Sequence, residues 1–305
     1  MFTFSEDLPH GYLSWRNVAN LPELRLENPH VREMLYGDGG VIPYYLQEVG
    51  IDGWRLDVAP DIGHEFLADL REAAHRAADH SVVIGECWNY PEEWLDVLDG
   101  ILNMHARSIV LKLITGELSP VMAGRLMERM IADSGIEGIL RSHLVLDNHD
   151  MPRLATTVAD EAARRLARIA QFMLPGCPVL YYGSEIGMNG GADPMNRGPM
   201  RWDLVNEENS ELRLVRELVA LRKECPALTI GNFRLLESEK LFAFLRYTDK
   251  ARESVVVVLN PSPSEISDAV PVRDSRLMDS GPLQCLLSGE KVPVHCGILE
   301  LNVPG

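Results

Sequence analysis

Apolar and polar positions fall in blocks along this chain, and the character of the blocks changes twice. The first ~50 residues are mixed and punctuated by Pro22, Pro29, Pro43 and the pair Gly39 and Gly40, which predicts loop with one or two short helices. From there short apolar runs alternate with amphipathic stretches. Residues 53–59, 81–87, 100–104, 142–150 and 178–185 read as strands, and 64–79, 119–134, 160–172 and 211–224 as helices. Strand and helix in strict alternation predict parallel βα units, as in a doubly wound sheet or a (β/α) barrel. After about residue 230 the helical period disappears. Apolar runs at 241–247, 254–261, 283–288 and 297–303 are separated by Pro261, Pro263, Gly281 and Gly289, which predicts a small all-β domain. The expected division is therefore 1–230, an α/β catalytic part with its N-terminal loop segment, and 231–305, an all-β tail.

Composition narrows the function classes. The chain has 305 residues, 46% hydrophobic and 24% charged, which excludes collagen, wholesale disorder and a disulfide miniprotein. Its 29 basic and 45 acidic side chains give a net charge of -16, and so acidic a surface repels phosphate backbones and anionic lipid. Neither nucleic acid nor membrane is expected as a partner. Five widely spaced cysteines without a C-x-x-C pair point to reduced thiols, and no basic-then-apolar leader is visible at the N-terminus; the expected compartment is the cytoplasm. No Cys/His pattern points to a metal, and no cofactor is expected.

Three of the expected strands end in carboxylates: Asp57, Glu86 and Asp150. Taken alone, each could be a helix cap or a solvated acid. In βα barrels the chemistry sits at the C-terminal strand ends, so three such acids in three separate units point to a site. Arg55 lies two residues before Asp57, hence on the same strand face, where a guanidinium would keep the carboxylate anionic as a nucleophile needs. Glu86 precedes Cys87 and Trp88, and an apolar wall there would keep it protonated as a general acid needs. Two carboxyls pushed apart in this way suit glycosidic bond cleavage. Asn148 and His149 add neutral donors for sugar hydroxyls. Read as a metal pair, His149 and Asp150 lack the further ligands and the helical setting, and the glycines at 37–40 match no phosphate cradle.

Three of these stretches, WRLDVA at 54–59, GECW at 85–88 and LDNHD at 146–150, resemble strand-end motifs of the α-amylase family of glycoside hydrolases. LPEL at 21–24, ENPHVREML at 27–35, ALRKECPAL at 220–228 and the loop at 174–203 extend the resemblance over nearly the whole chain, closest to its neopullulanase, cyclomaltodextrinase and maltogenic amylase branch. The resemblance implies a partial (β/α) barrel, strands four to eight, followed by an all-β domain. It implies Asp57 as nucleophile, Glu86 as general acid/base and Asp150 as the residue holding sugar hydroxyls in the distorted oxocarbenium-like state. Arg55, His149, Asn148, Trp88, Arg153 and Tyr182 would bind substrate. The implied reaction is retaining cleavage of α-glucosidic bonds in maltooligosaccharides, cyclodextrins or α-glucans.

Only 56 residues precede Asp57 in the fourth-strand motif, and the family's third-strand motif has no match. Five βα units alone would expose apolar edges. A second copy or a partner chain completing the barrel is therefore expected. The alternative is an amylase-like protein that binds glucan without turnover or serves as an assembling scaffold.

Overall fold

The computed structural model describes residues 1–277 and 281–305, and the chain divides into two compact units. The first comprises Met1–Cys87 and Trp94–Ile101, the second Trp88–Glu93 and Leu102–Gly305.

In the first unit three isolated bridges (Phe2 with Leu24, Phe4 with Tyr12, Ser14 with Pro22) tie the N-terminal loop. Helices α1 (Pro29–Tyr36) and α2 (Val41–Tyr44) follow. Helix α1 starts where expected of Asn-Pro: the Asn28 side chain accepts from His30 N–H, and Pro29 needs no donor at the first position. Strand β1 (Gly53–Leu56) leads through the short α3 (Ala59–Ile62) into α4 (His64–Ala77), then β2 (Val82–Cys87). The two strands are parallel, with Arg55 opposite Ile84 and Leu56 opposite Gly85. Leu67, Leu70, Ala73 and Ala74 of α4 pack with Val83, Leu56 and Trp94 into one core.

Strand β3 (Gly100–Asn103) carries the chain into the second unit. There α5 (Met104–Ile114), α6 (Pro120–Ser134), α7 (Ile136–Arg141), β4 (His143–Val145), α8 (Leu154–Thr157), α9 (Glu161–Met173), β5 (Cys177–Val179), α10 (Ser210–Glu224) and α11 (Pro226–Ile230) follow. Strands β3 and β4, and β4 and β5, are again parallel. Five strands thus pair in parallel, as the alternating pattern predicts. Leu212, Val215 and Leu218 of α10 are core residues.

The helices end at β6 (Asn232–Leu235). It pairs antiparallel with β7 (Phe242–Tyr247), which pairs with β8 (Ser254–Leu259). Strand β9 (Ile266–Pro271) comes next, then the short β10 (Leu283–Gln284) and β11 (Lys291–Val292), which form a pair of their own. Strands β12 (Val294–His295) and β13 (Ile298–Val303) form a three-stranded sheet with β9. Leu241, Ala243, Leu245, Val270, Val272 and Leu299 give this region its own core.

Arg246 on β7 is fully buried and ties the region to two helix ends. Its guanidinium donates to the carbonyls of Met173 at 2.8 Å, Gly231 at 2.9 Å and Asn232 at 3.2 Å. The first two are orphan acceptors at the C-termini of α9 and α11, where a cation also meets the helix dipole. Burial works against the charge and pulls its pKa down, so the three carbonyls have to compensate for lost water. Arg246→Ala should cost about 3 kcal/mol or more, because each stranded buried acceptor costs about 1 kcal/mol or more. The urea midpoint should fall at unchanged slope; a loss under about 1 kcal/mol would contradict this role.

Candidate active site

The first unit brings together Arg55, Asp57 and Glu86. Asp57 immediately follows β1 and Glu86 is the penultimate residue of β2, so the parallel register sets them side by side. Arg55 donates through one amino group to Asp57 Oδ1 and through the other to Glu86 Oε2 at 2.9 Å. One cation thus serves both acids and offsets their mutual repulsion. Their surroundings differ: the Asp57 side chain is 73% exposed and that of Glu86 7%.

Donors meet Glu86 on one carboxyl oxygen. Its Oε2 also accepts the backbone N–H of Val58 at 3.2 Å. Cys87 does not line Glu86, because successive strand residues face opposite ways. The thiol lies fully buried in the core, and burial, followed by the neighbouring Glu86 charge, pushes it up to about 12. Trp54 likewise faces away from Arg55 and packs against that core, as the alternation predicts. Between Ile84 and Glu86 only glycine fits: a Cβ on Gly85 would collide with the Leu98 side chain and stand 2.9 Å from that of Ala59.

The turn after Asp57 is strained. Val58 has φ 44° and ψ 45°, left-handed values that cost a β-branched residue about 1–3 kcal/mol. Such outliers concentrate at functional sites.

The second unit brings together Asn148, His149, Asp150, Arg153 and Tyr182. Asn148 Oδ1 accepts from Asp150 N–H at 2.9 Å, a side-chain turn that ends the strand and aims the two residues after it. His149 Nε2 lies 3.1 Å from Asp150 Oδ2, and Arg197 reaches Asp150 Oδ1 at 3.4 Å. Tyr182 is 41% exposed, and its hydroxyl donates to the Gly198 carbonyl at 2.7 Å. Arg153, expected to bind substrate, is instead wholly buried. It donates to the carbonyls of Asn196 and Tyr182, and its guanidinium stacks 4.0 Å from the Tyr181 ring and 4.5 Å from the Tyr182 ring. So placed, it orients the tyrosine loop and offers no surface to a sugar.

Trp88 opens the short stretch Trp88–Glu93 and is 58% exposed. Two residues on, Tyr90 pins that stretch: its hydroxyl donates to Asp133 at 2.9 Å and its ring meets His105 edge-on at 5.0 Å. Burial, then the Asp133 bond, pushes the Tyr90 hydroxyl up to about 12.

Three further polar residues hold this second cluster; they lie inside the stretches that carry the resemblance, but nothing in those stretches singles them out. Arg197 sits in the loop 174–203, whose resemblance covers the whole stretch without picking out this residue. Asn196 donates to the carbonyls of His149 at 2.7 Å and Met151 at 2.9 Å and so holds the Asp150 loop. Asp147 is fully buried and accepts from Leu154 N–H at 2.8 Å and from the Ser184 hydroxyl at 2.6 Å, fastening the β4 loop to the segment after β5. Side chains that act only through such contacts leave no spacing pattern to read.

Residues 2–212 match the family model "Alpha amylase, catalytic domain". The chain is 32% identical to Neopullulanase 2 of Thermoactinomyces vulgaris, over 98% of this chain and 52% of that protein. It is 32% identical to the intracellular maltogenic amylase of Bacillus subtilis strain 168, over 76% of this chain and 40% of that one. A solved cyclomaltodextrinase structure superposes with a TM-score of 0.86 at 27% identity, covering 100% of this chain and 53% of the other. The chain therefore spans about half the length of the curated relatives it matches. Its α/β architecture, with five parallel βα strands and a small antiparallel tail, is that of the partial barrel and all-β domain which the motifs imply. With two-thirds of its residues inside the family model, this chain belongs to the α-amylase family.

Proposed function

We propose that this protein cleaves α-glucosidic bonds in maltooligosaccharides, cyclodextrins or α-glucans with retention of configuration. The observation that carries the reading is the Arg55 guanidinium bridging Asp57 and Glu86. A shared cation favours the short carboxyl separation, about 5 Å, at which the second acid attacks carbon directly; an intervening water needs about 6.5–9.5 Å. Glu86 gives its proton to the glycosidic oxygen as that bond breaks. The exposed Asp57 carboxylate forms an ester to the anomeric carbon. Water then attacks that carbon, Glu86 takes the water's proton, and Asp57 leaves as the carboxylate.

Asp150, with His149 and Asn148, supplies hydrogen-bonding groups for sugar hydroxyls. Trp88 and Tyr182 supply exposed rings for sugar faces, and Arg153 supports Tyr182 from beneath. Residues 1–230 would form the catalytic part and 231–305 a separate folding unit with its own core. Among the described residues no helix is long and apolar enough to cross a membrane. The relative from B. subtilis is called intracellular, and we place this protein in the cytoplasm on the same basis.

The half-length match favours a second reading, a family member that binds glucan without turnover. The two separate in one experiment. The purified chain is incubated with maltotriose, β-cyclodextrin and pullulan, and reducing ends are measured. Release from any of them supports cleavage. Calorimetric binding without release supports the second reading. A sedimentation mass of two chains or more would add the expected self-association.

A further inference from the structure

Val58 joins the two carboxylates through its backbone. It follows Asp57 directly, and its N–H is a donor to Glu86. Val58 also holds a left-handed conformation that a β-branched residue leaves unless something prevents it. Its carbonyl accepts from Asp61 N–H at 2.9 Å, which closes the turn that follows Asp57. The Asp61 side chain in turn accepts the indole N–H of Trp15 on Oδ2 at 2.8 Å.

Trp15 is itself fixed in the N-terminal loop. Its backbone N–H donates to Leu21 O at 2.9 Å, and its carbonyl accepts from Val18 N–H at 2.9 Å. The Arg16 guanidinium lies 4.7 Å from its ring centroid. Arg16 and Asn17 also have positive φ, at 48° and 60°. Three of the five non-glycine residues with positive φ among the described residues thus lie in the two segments that this hydrogen bond joins.

We propose that the Trp15–Asp61 hydrogen bond is a clamp that holds the strained Val58 turn, and through it sets Glu86 and Asp57 in their working positions. Released from the clamp, Val58 relaxes toward ordinary backbone angles. Its N–H then swings away from Glu86, and the plane of the Asp57–Val58 peptide, which carries the nucleophile, turns with it. Trp15 and Asp61 are positioning residues, acting on the carboxylates through Val58. The inference deepens the proposed glycosidase reading and rests on it for its catalytic consequence.

The test has a catalytic arm and a structural arm. Trp15→Phe keeps an aromatic ring and removes the N–H. It should lower kcat on maltotriose about tenfold, the effect of losing one hydrogen bond from the transition-state arrangement, with KM changed less than about twofold. Asp61→Leu should do the same, and Asp61→Asn, which keeps an acceptor oxygen, should restore most of kcat. In a Val58→Gly background, where the left-handed turn carries no strain, Trp15→Phe should change kcat by less than about twofold. A full tenfold loss in both backgrounds, or no loss in the valine background, overturns the clamp.

The structural arm is independent of turnover. Hydrogen exchange at the Val58 amide should speed up about tenfold in Trp15→Phe, by the same loss of one hydrogen bond, and not in Asp61→Asn. An unchanged exchange rate overturns the clamp even if the wild-type chain cleaves nothing. Faster exchange in an inactive wild type overturns only the glycosidase reading.

Discussion

Asp57→Asn should lower kcat on maltotriose by at least about 10⁴-fold, the scale of loss when a covalent nucleophile is removed. The amide is nearly the same size as the carboxylate but cannot form the glycosyl ester. The Asp57 side chain is largely exposed, and its ion pair with Arg55 is correspondingly screened. Folding should therefore survive, with the urea midpoint close to wild type. Substrate affinity measured by calorimetry should also persist, since the residues assigned to sugar hydroxyls are untouched. A variant that unfolds would report a structural role instead, and a variant that keeps kcat within tenfold would remove Asp57 from the mechanism.

Glu86→Gln is the second large effect, a loss of about 10²–10⁴-fold in kcat. The glutamine oxygen can still accept from Arg55 and from Val58 N–H, so the local geometry should hold. What disappears is the proton given to the leaving oxygen and later taken from water. The loss should depend on the leaving group. A maltosyl fluoride needs no proton to release fluoride, so its glycosylation step should be nearly as fast as in wild type, and ester should accumulate. An external anion such as azide needs no base either, and should speed turnover of that ester. Equal losses on maltotriose and on the fluoride would place Glu86 outside acid/base work. Unchanged activity on both would make the assignment wrong.

Much of this site is legible in the order of its residues alone. Alternation along β1 puts Arg55 and Asp57 on one face, and their ion pair follows from that period of two. The same period turns Trp54 into the core. It also carries Cys87 away from Glu86, so Cys87 forms no part of a wall there: two residues adjacent in a strand cannot line the same side. Strand ends are less legible than strands. The apolar run at 142–150 yields only His143–Val145 as strand; beyond it the Asn148 side chain captures the Asp150 N–H that a ladder would otherwise use. The run at 178–185 shortens likewise, since Gly183 turns the chain at φ 81°. The supporting role of Arg153 is hidden because its partners, the carbonyls of Asn196 and Tyr182, lie 43 and 29 residues away. The left-handed Val58 has no sequence signal, since glycine, asparagine or aspartate marks such positions and valine does not.

The motifs and the fold agree on ancestry, while the match to only about half of each longer relative leaves catalysis as the claim at stake. The direct measurement is to trap the ester. The wild-type protein is incubated with a fluorinated maltosyl fluoride, whose extra fluorine slows breakdown of the ester by disfavouring the cationic transition state. Intact mass and then peptide mapping are recorded. A stoichiometric sugar adduct on the peptide containing Asp57, absent from Asp57→Asn, is the predicted result. An adduct on another residue, or a chain that stays unmodified, would contradict it.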